Sequence, residues 1–259
     1  MSPSKVVIPK SEKLEVFIRE GRYKGSLPNF FSTDLFPELR PLQDNWQAIR
    51  EEVLAFEKNH GEMKGISSNS YVSAQFEGIN WSNLYLDNFM WRFHKNRRHF
   101  PLICSLVDQI PNCTLTVLTV LSPNSSVKPH FGDTNGIVRC QLGLIIPAEY
   151  PTCGMRVGDE EKGWSNGEFI AFTEAHLHCV WNKSLAKRYL LIVDLKSPFV
   201  SGSKMEVCSK VLGAQSFNYL EARFPIVKNL SKTLANIVCV LLSFAWKIYL
   251  PVQRKIKFL

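Results

Sequence analysis

Apolar residues along this chain recur at two spacings, and the change from one to the other divides it into regions. Between residues 41 and 59 the apolar positions Leu42, Trp46, Ile49, Val53 and Phe56 are separated alternately by four and three residues. That spacing predicts an amphipathic helix packed across the outside of a sheet, with Pro41 in its first turn and Gly61 just past its end. Residues 81–93 are aromatic-rich and strand-like, and 98–110 read as helical up to Pro111. From Cys113 onward the period drops to two, placing Leu115, Val117, Thr119 and Leu121 on one face of a strand. Residues 137–146 alternate more sharply. Val138, Cys140, Leu142, Leu144 and Ile146 share one face, while Arg139, Gln141 and Gly143 lie on the other between Ile137 and Ile145. Further strands are expected around Met155 and over 169–172, 177–181 and 188–195, punctuated by Pro147, Pro151, Gly154, Gly163 and Gly167. Short strands this closely spaced predict a barrel or jelly roll. No internal repeat is visible.

The two ends behave differently from this middle. Residues 1–33 are polar, basic and weakly patterned, so order is expected to begin at Asp34. Residues 61–78, rich in Ser, Asn and Gly, read as a loop. Past Pro198 the chain turns polar again, and Ser201-Gly202-Ser203 marks a domain edge. Three units follow: an extension over 1–33, a core domain over 34–200 and a tail over 201–259. The tail holds an uncharged run over 233–246 between Lys232 and Lys247. A membrane span needs about twenty residues. With Lys247 snorkelling, 233–252 reaches that length, and Trp246 and Tyr249 suit an interface. Arg254, Lys255 and Lys257 beyond it favour an anionic surface. A helix docked on the domain is the rival reading.

Composition narrows the partners. With 259 residues, 45% hydrophobic and 21% charged, the chain suits a folded globular domain with a sizeable core. Its net charge of +8 favours an anionic partner. The excess sits in the flanks and around His94–His99, and no basic helix carries interleaved aromatics, so nucleic acid is not expected. Seven cysteines, an odd number without a CxxC pair, imply a reducing compartment. No apolar leader opens the chain. These features together point to an intracellular protein whose tail offers a route to a membrane.

The chemistry gathers around two histidines. His130 stands at the mouth of a Gly/Asn/Asp turn, and His178 lies 48 positions later on another expected strand. Histidines from different strands suit a metal that keeps open positions, and the commonest non-haem iron set adds one carboxylate. Two residues after His130 stands Gly132, with Asp133 one step further, so the third ligand stays open. Arg139 and Gln141 share a strand face, and Arg188 opens the last strand. Arginine forks on an inner face suit a small dicarboxylate.

The run PHFGDTNGIVRCQLGLIIP is followed by Trp164, Gly167, Phe172, His178-x-Val-Trp-Asn182 and Arg188-x5-Asp194. With the upstream Trp81-Ser82 and Cys104-Ser105-Leu106, it resembles the aspartyl/asparaginyl β-hydroxylase family over residues 81–198. Residues 36–50 are similar to that family's lipid A 2-hydroxylase branch. The resemblance implies a mainly β fold: a double-stranded β-helix (jelly roll, cupin-like) with flanking helices and a C-terminal hydrophobic helix. It also implies an Fe(II)- and 2-oxoglutarate-dependent dioxygenase using O2 to hydroxylate an unactivated carbon. That carbon belongs to a peptidyl Asp or Asn or to a membrane-lipid acyl chain. By position, His130 and His178 hold the iron, and Arg188 and Thr119 take the distal carboxylate of 2-oxoglutarate. Arg139 faces the proximal carboxylate, while Trp81 and Gln141 line the pocket. Three departures stand out: Gln141 where the family often has histidine, His176 where an aromatic is usual, and Lys196-Ser197 where Trp-His is frequent. Gln141 and His176 support the alternative of a non-catalytic jelly-roll binding module with a decayed metal site.

Overall fold

The computed structural model describes residues 9–19, 21–63 and 81–255 of the chain, so most of the loop expected over 61–78 lies outside the described residues. Two antiparallel sheets form its centre. The larger comprises β1 (Phe30–Phe31), β2 (Trp81–Asn88), β3 (Trp91–Arg92), β4 (Cys113–Leu121), β6 (Ile137–Ile145), β9 (Phe169–Phe172) and β11 (Arg188–Lys196). Its spatial order is β1-β9-β6-β11-β4-β2-β3. The smaller comprises β5 (Ser125–His130), β7 (Cys153–Val157), β8 (Glu160–Lys162) and β10 (His178–Asn182), in the order β5-β10-β7-β8.

Register sorts the larger sheet into two faces, because residues directly opposite one another point the same way. Leu191 pairs with Leu118 and with Leu142, and Val193 pairs with Cys140. These residues share one core with Ile49 and Val53 of α2 (Trp46–His60) and with Ile103 and Val107 of α4 (Pro101–Val107), which follows the one-turn α3 (His94–Arg97). Each such buried aliphatic side chain contributes about 1.5–3 kcal/mol relative to exposure. The opposite face carries Thr119, Val117, Gln141, Arg139, Arg188 and Asp194. One end of that face is roofed by the smaller sheet, through Cys153, Met155, Val157, Trp164, Phe172 and Leu190. The other end is roofed by a helix, α5 (Lys204–Arg223), where Leu115, Val117, Ile137 and Ile192 meet Val207, Val211 and Leu212. The polar residues sit where the two roofs meet.

The expected mainly β, closed double-stranded β-helix is not what the chain forms. Among the described residues both sheets are open and joined by no common ladder, and long helices fill much of the molecule, giving a mixed α/β architecture. The edge at β3 shows a physical reason. Gln253, at the end of α7 (Lys232–Gln253), accepts from Arg92 N–H at 3.0 Å and donates to Arg92 C=O at 2.7 Å. A side chain from a helix thus satisfies the edge strand's backbone, which removes the pairing that closure would need.

Local chemistry explains where elements depart from the sequence pattern. The helix expected over 41–59 appears as α1 (Arg40–Asp44) and α2, parted at Asn45, whose side-chain amide donates to Pro41 C=O at 2.8 Å. The N-terminal segment is ordered well before Asp34: Tyr23, Leu27 and Phe31 lie in the main core. Glu12 fixes it by accepting from the Tyr23 hydroxyl at 2.6 Å and Ser26 N–H at 2.8 Å. Residues 201–255 pack as a helical hairpin instead of trailing away, with the short α6 (Pro225–Lys228) at its corner. Helix α5 shows no single apolar stripe because it is buried on two sides, by the sheet and by α7. At Gly213 a Cβ would stand 2.3 Å from Ser243 Oγ, so the two helices approach where only glycine fits.

Candidate active site

His130 and His178 stand directly opposite each other in the β5–β10 ladder, with ring centroids 4.2 Å apart. Each ring nitrogen Nδ1 lies 2.8 Å from a backbone carbonyl two residues earlier, Lys128 O and His176 O respectively. A carbonyl can only accept, so both Nδ1 atoms donate, and both Nε2 atoms carry the lone pair that a metal takes. Burial lowers both imidazoles' proton affinity, most strongly at His178, and this keeps them in the neutral form that ligates. Among the described residues no group of three or more His, Cys, Asp and Glu side chains is placed to hold a metal together. Among the described residues the pair therefore fits a two-histidine site completed by small ligands.

The turn after His130 shows why no carboxylate stands two residues on. Gly132 N–H donates to Glu174 C=O at 3.0 Å, and a Cβ at 132 would fall 2.3 Å from Glu174 Oε2 and 2.5 Å from its carbonyl oxygen. The Glu174 side chain fills that space and pairs with Arg139 Nη1 at 2.9 Å. Burial pushes the Glu174 carboxyl up to about 8, opposed by the Arg139 guanidinium. Gly132→Asp is accordingly expected to destabilise the fold by about 1–3 kcal/mol through overpacking, read as a lowered urea midpoint with no gain in metal affinity.

Arg139 also grips Asp194 on β11, through Nε at 2.9 Å and Nη2 at 2.7 Å. Burial alone would lower its proton affinity, but the two carboxylates outweigh that and raise it well above the ordinary value. Asp133, the other acid near the histidines, points elsewhere: its Oδ2 accepts from Gln215 of α5 at 2.9 Å. His176 lies near the metal pair in sequence but donates Nε2–H to Leu27 C=O at 2.8 Å and packs edge-on against Tyr23. It ties the N-terminal segment down.

The surroundings of Arg188 are more unusual. Arg188 is 2% exposed, no carboxylate pairs with it among the described residues, and its Nε and Nη1 have no hydrogen-bond partner. Burial pulls its proton affinity down to about 10. The Trp164 ring, 4.5 Å from the guanidinium carbon, offsets part of that cost. Trp164 Nε1–H in turn donates to Gln141 Oε1 at 3.1 Å, which turns that amide's NH2 away as a donor. Across the sheet, Trp81 Nε1–H donates to Thr119 Oγ1, leaving the threonine O–H to donate onward. The structure thus brings Trp81, Thr119, Gln141, Arg139 and Arg188 to one face, where the strand alternation had placed only Arg139 and Gln141 together. Sequence reasoning missed Glu174; the signal was an acid four residues before His178 in a turn between two expected strands.

The strands thus present a neutral histidine pair and a buried arginine with no carboxylate partner among the described residues, the donor types that a metal and a diacid need. Comparison with known proteins gives the family. A sequence model described as "Aspartyl/Asparaginyl beta-hydroxylase" matches residues 43–198, more than half of the chain. The chain belongs to the aspartyl/asparaginyl beta-hydroxylase family. An ornithine lipid ester-linked acyl 2-hydroxylase of Rhizobium tropici is 27% identical over 180 residues, 68% of this chain and 63% of that protein. Human aspartyl/asparaginyl beta-hydroxylase is 30% identical over 165 residues, 62% of this chain and 21% of that protein. Human aspartate beta-hydroxylase domain-containing protein 2 is 28% identical over 213 residues, covering 76% of this chain and 54% of that protein. The chain spans less than two thirds of the length of each of these relatives.

Proposed function

We propose that this chain is an Fe(II)- and 2-oxoglutarate-dependent hydroxylase, and the observation that carries the reading is Arg188. A buried cation without a counter-ion is costly, on the order of several kcal/mol, and persists where a ligand supplies the missing anion. Its surroundings suit a carboxylate: the Arg188 fork and the Thr119 O–H supply donors for the distal end of 2-oxoglutarate. His130 and His178 hold the iron through Nε2. Three of Arg139's five N–H donors serve Asp194 and Glu174, which fixes the fork and leaves two for the metal-proximal carboxylate. Gln141 contributes a neutral donor where the family often has histidine. Iron and 2-oxoglutarate, when bound, supply the oxidising chemistry that places one atom of O2 into a C–H bond. The chain's part is to orient the diacid and to keep the pocket dry behind Met155, Val157, Trp164 and Phe172. The substrate carbon belongs to a peptidyl Asp or Asn or to a lipid acyl chain, the two activities named among its relatives.

The test is anaerobic addition of Fe(II) and then 2-oxoglutarate to the purified protein, watching the visible charge-transfer band of the chelate. A band in the wild type that disappears in His178→Ala and Arg188→Ala is the expected result. No band from folded wild-type protein at saturating cosubstrate removes the hydroxylase reading and leaves a non-catalytic binding module.

A further inference from the structure

Helix α7 is apolar over most of its surface, with Asn236 and Lys247 exposed, yet only one of its sides is covered. By length and composition it is the one described helix able to cross a membrane. The covered side is locked to the domain. Trp246 Nε1–H donates to Ser216 Oγ at 2.8 Å, Ser243 sits against Gly213, and Gln253 caps the Arg92 backbone at the edge of the larger sheet. A helix leaving the domain to span a bilayer would give up all three contacts, expose Val211 and Leu212 and orphan the sheet edge. Helix α7 therefore stays on the protein.

Its outward side is the main apolar exposure of the molecule. Among the described residues, eleven of the fifteen exposed large hydrophobics lie between Tyr219 and Val252. Ile237, Leu241, Phe244 and Ile248 recur every three or four residues and are each at least half exposed, with Ile226 of α6 at 76%. From Ile237 to Ile248 the stripe runs about 17 Å along the 22-residue helix. Isolated exposed apolar residues need no explanation, but a continuous stripe of this length marks a surface that something covers.

Charge identifies the occupant. From 204 to 255 the chain has eight Lys or Arg and two Asp or Glu. Both acids are already paired, Glu221 with Arg19 at 2.8 Å and Glu206 with Lys210 at 2.6 Å. Lys228 and Lys232 stand at one end of the stripe, and Arg254 and Lys255 at the other. An apolar band bracketed by cations complements an anionic bilayer surface, with the apolar side chains in the acyl boundary and the cations among the headgroups.

We infer that the α5–α7 hairpin docks the protein in the plane of an anionic membrane, through the outward side of α7 and without crossing it. The hairpin also touches the site, since Gln215 of α5 holds Asp133, three residues after His130. Docking thus sets the metal-bearing turn close behind the membrane-facing helices. The inference is independent of the proposed chemistry, because it rests on surface and packing alone.

The test is co-sedimentation of the full chain, without iron or 2-oxoglutarate, with sucrose-loaded vesicles. One set is pure phosphatidylcholine, and the other an equal mixture with phosphatidylglycerol. Pelleting with the anionic vesicles, weakened by salt and weak with the neutral ones, is expected. Lys228→Glu with Lys232→Glu should weaken anionic-vesicle binding about thirtyfold. Phe244→Asp with Ile248→Asp should abolish it while leaving thermal unfolding unchanged, since neither side chain belongs to the covered face. Wild type remaining in the supernatant with both vesicles overturns the inference. So does equal pelleting of the Phe244/Ile248 variant. A wild-type dimer in light scattering that the same variant dissolves would assign the stripe to a second copy of the chain and overturn it equally.

Discussion

Replacing Arg188 with methionine should leave the fold at least as stable as the wild type while removing 2-oxoglutarate binding. The two effects share one cause. Burial lowers the Arg188 proton affinity from the ordinary arginine value to about 10. A basic group lowered in the folded state costs stability at every pH below its folded value, and the cost is relieved only as pH climbs above about 10. At neutral pH it is therefore fully present, on the order of 3 kcal/mol. Methionine keeps most of the volume beside Trp164 and carries no charge, so a gain of about 1–3 kcal/mol is expected, or about 2–10 °C in Tm. The same substitution deprives a buried carboxylate of its partner, which costs about 2–5 kcal/mol and weakens the affinity for 2-oxoglutarate by about thirtyfold to several thousandfold. Saturating 2-oxoglutarate with Fe(II) should accordingly raise the Tm of the wild type and not that of the variant. A variant that loses stability yet binds 2-oxoglutarate normally would show that Arg188 is structural.

Much of the site could be seen in the strands because a period of two is a rigid rule. Alternation pairs Arg139 with Gln141 and Arg188 with Asp194, and once the register sets Asp194 opposite Arg139 all four share a face, with Thr119 joining them through β4. His130 and His178 needed no geometry to be singled out, although their direct opposition in one ladder depended on β5, where only a turn was expected. What escaped the sequence depends on three-dimensional neighbours. Helix α5 lacks an apolar stripe because sheet and helix cover it from two sides, so its periodicity averages away. Residues before Asp34 look polar, yet Tyr23, Leu27 and Phe31, each four residues apart, reach the core. Closure of the sheets was the wrong expectation because strand patterns specify faces and not edges. The edge at Arg92 ends on an amide 161 residues away.

Asp194→Asn should be the most destabilising polar substitution in the site, for reasons opposite to those at Arg188. Asp194 is fully buried and takes two of the Arg139 donors, holding the guanidinium between β6 and β11. Here the carboxylates outweigh the burial of the arginine, so this cation is stabilised where Arg188 is not. Asparagine keeps the shape but presents an NH2 to one donor and removes the charge, and breaking a buried pair in this way costs about 3–5 kcal/mol. The expected reading is a Tm lower by about 6–20 °C, with the urea midpoint shifted and its slope unchanged. Pairing Arg139→Met with Asp194→Leu should recover most of that loss, because the two apolar side chains leave no uncompensated charge between the strands. Glu174 would then have no partner at Arg139, and burial would favour its protonated form further. The double variant should still bind Fe(II), because His130 and His178 are each held by the backbone carbonyl two residues earlier, and it should bind 2-oxoglutarate weakly. Loss of Fe(II) binding as well would mean that the Arg139 cluster also sets the spacing of the histidine pair.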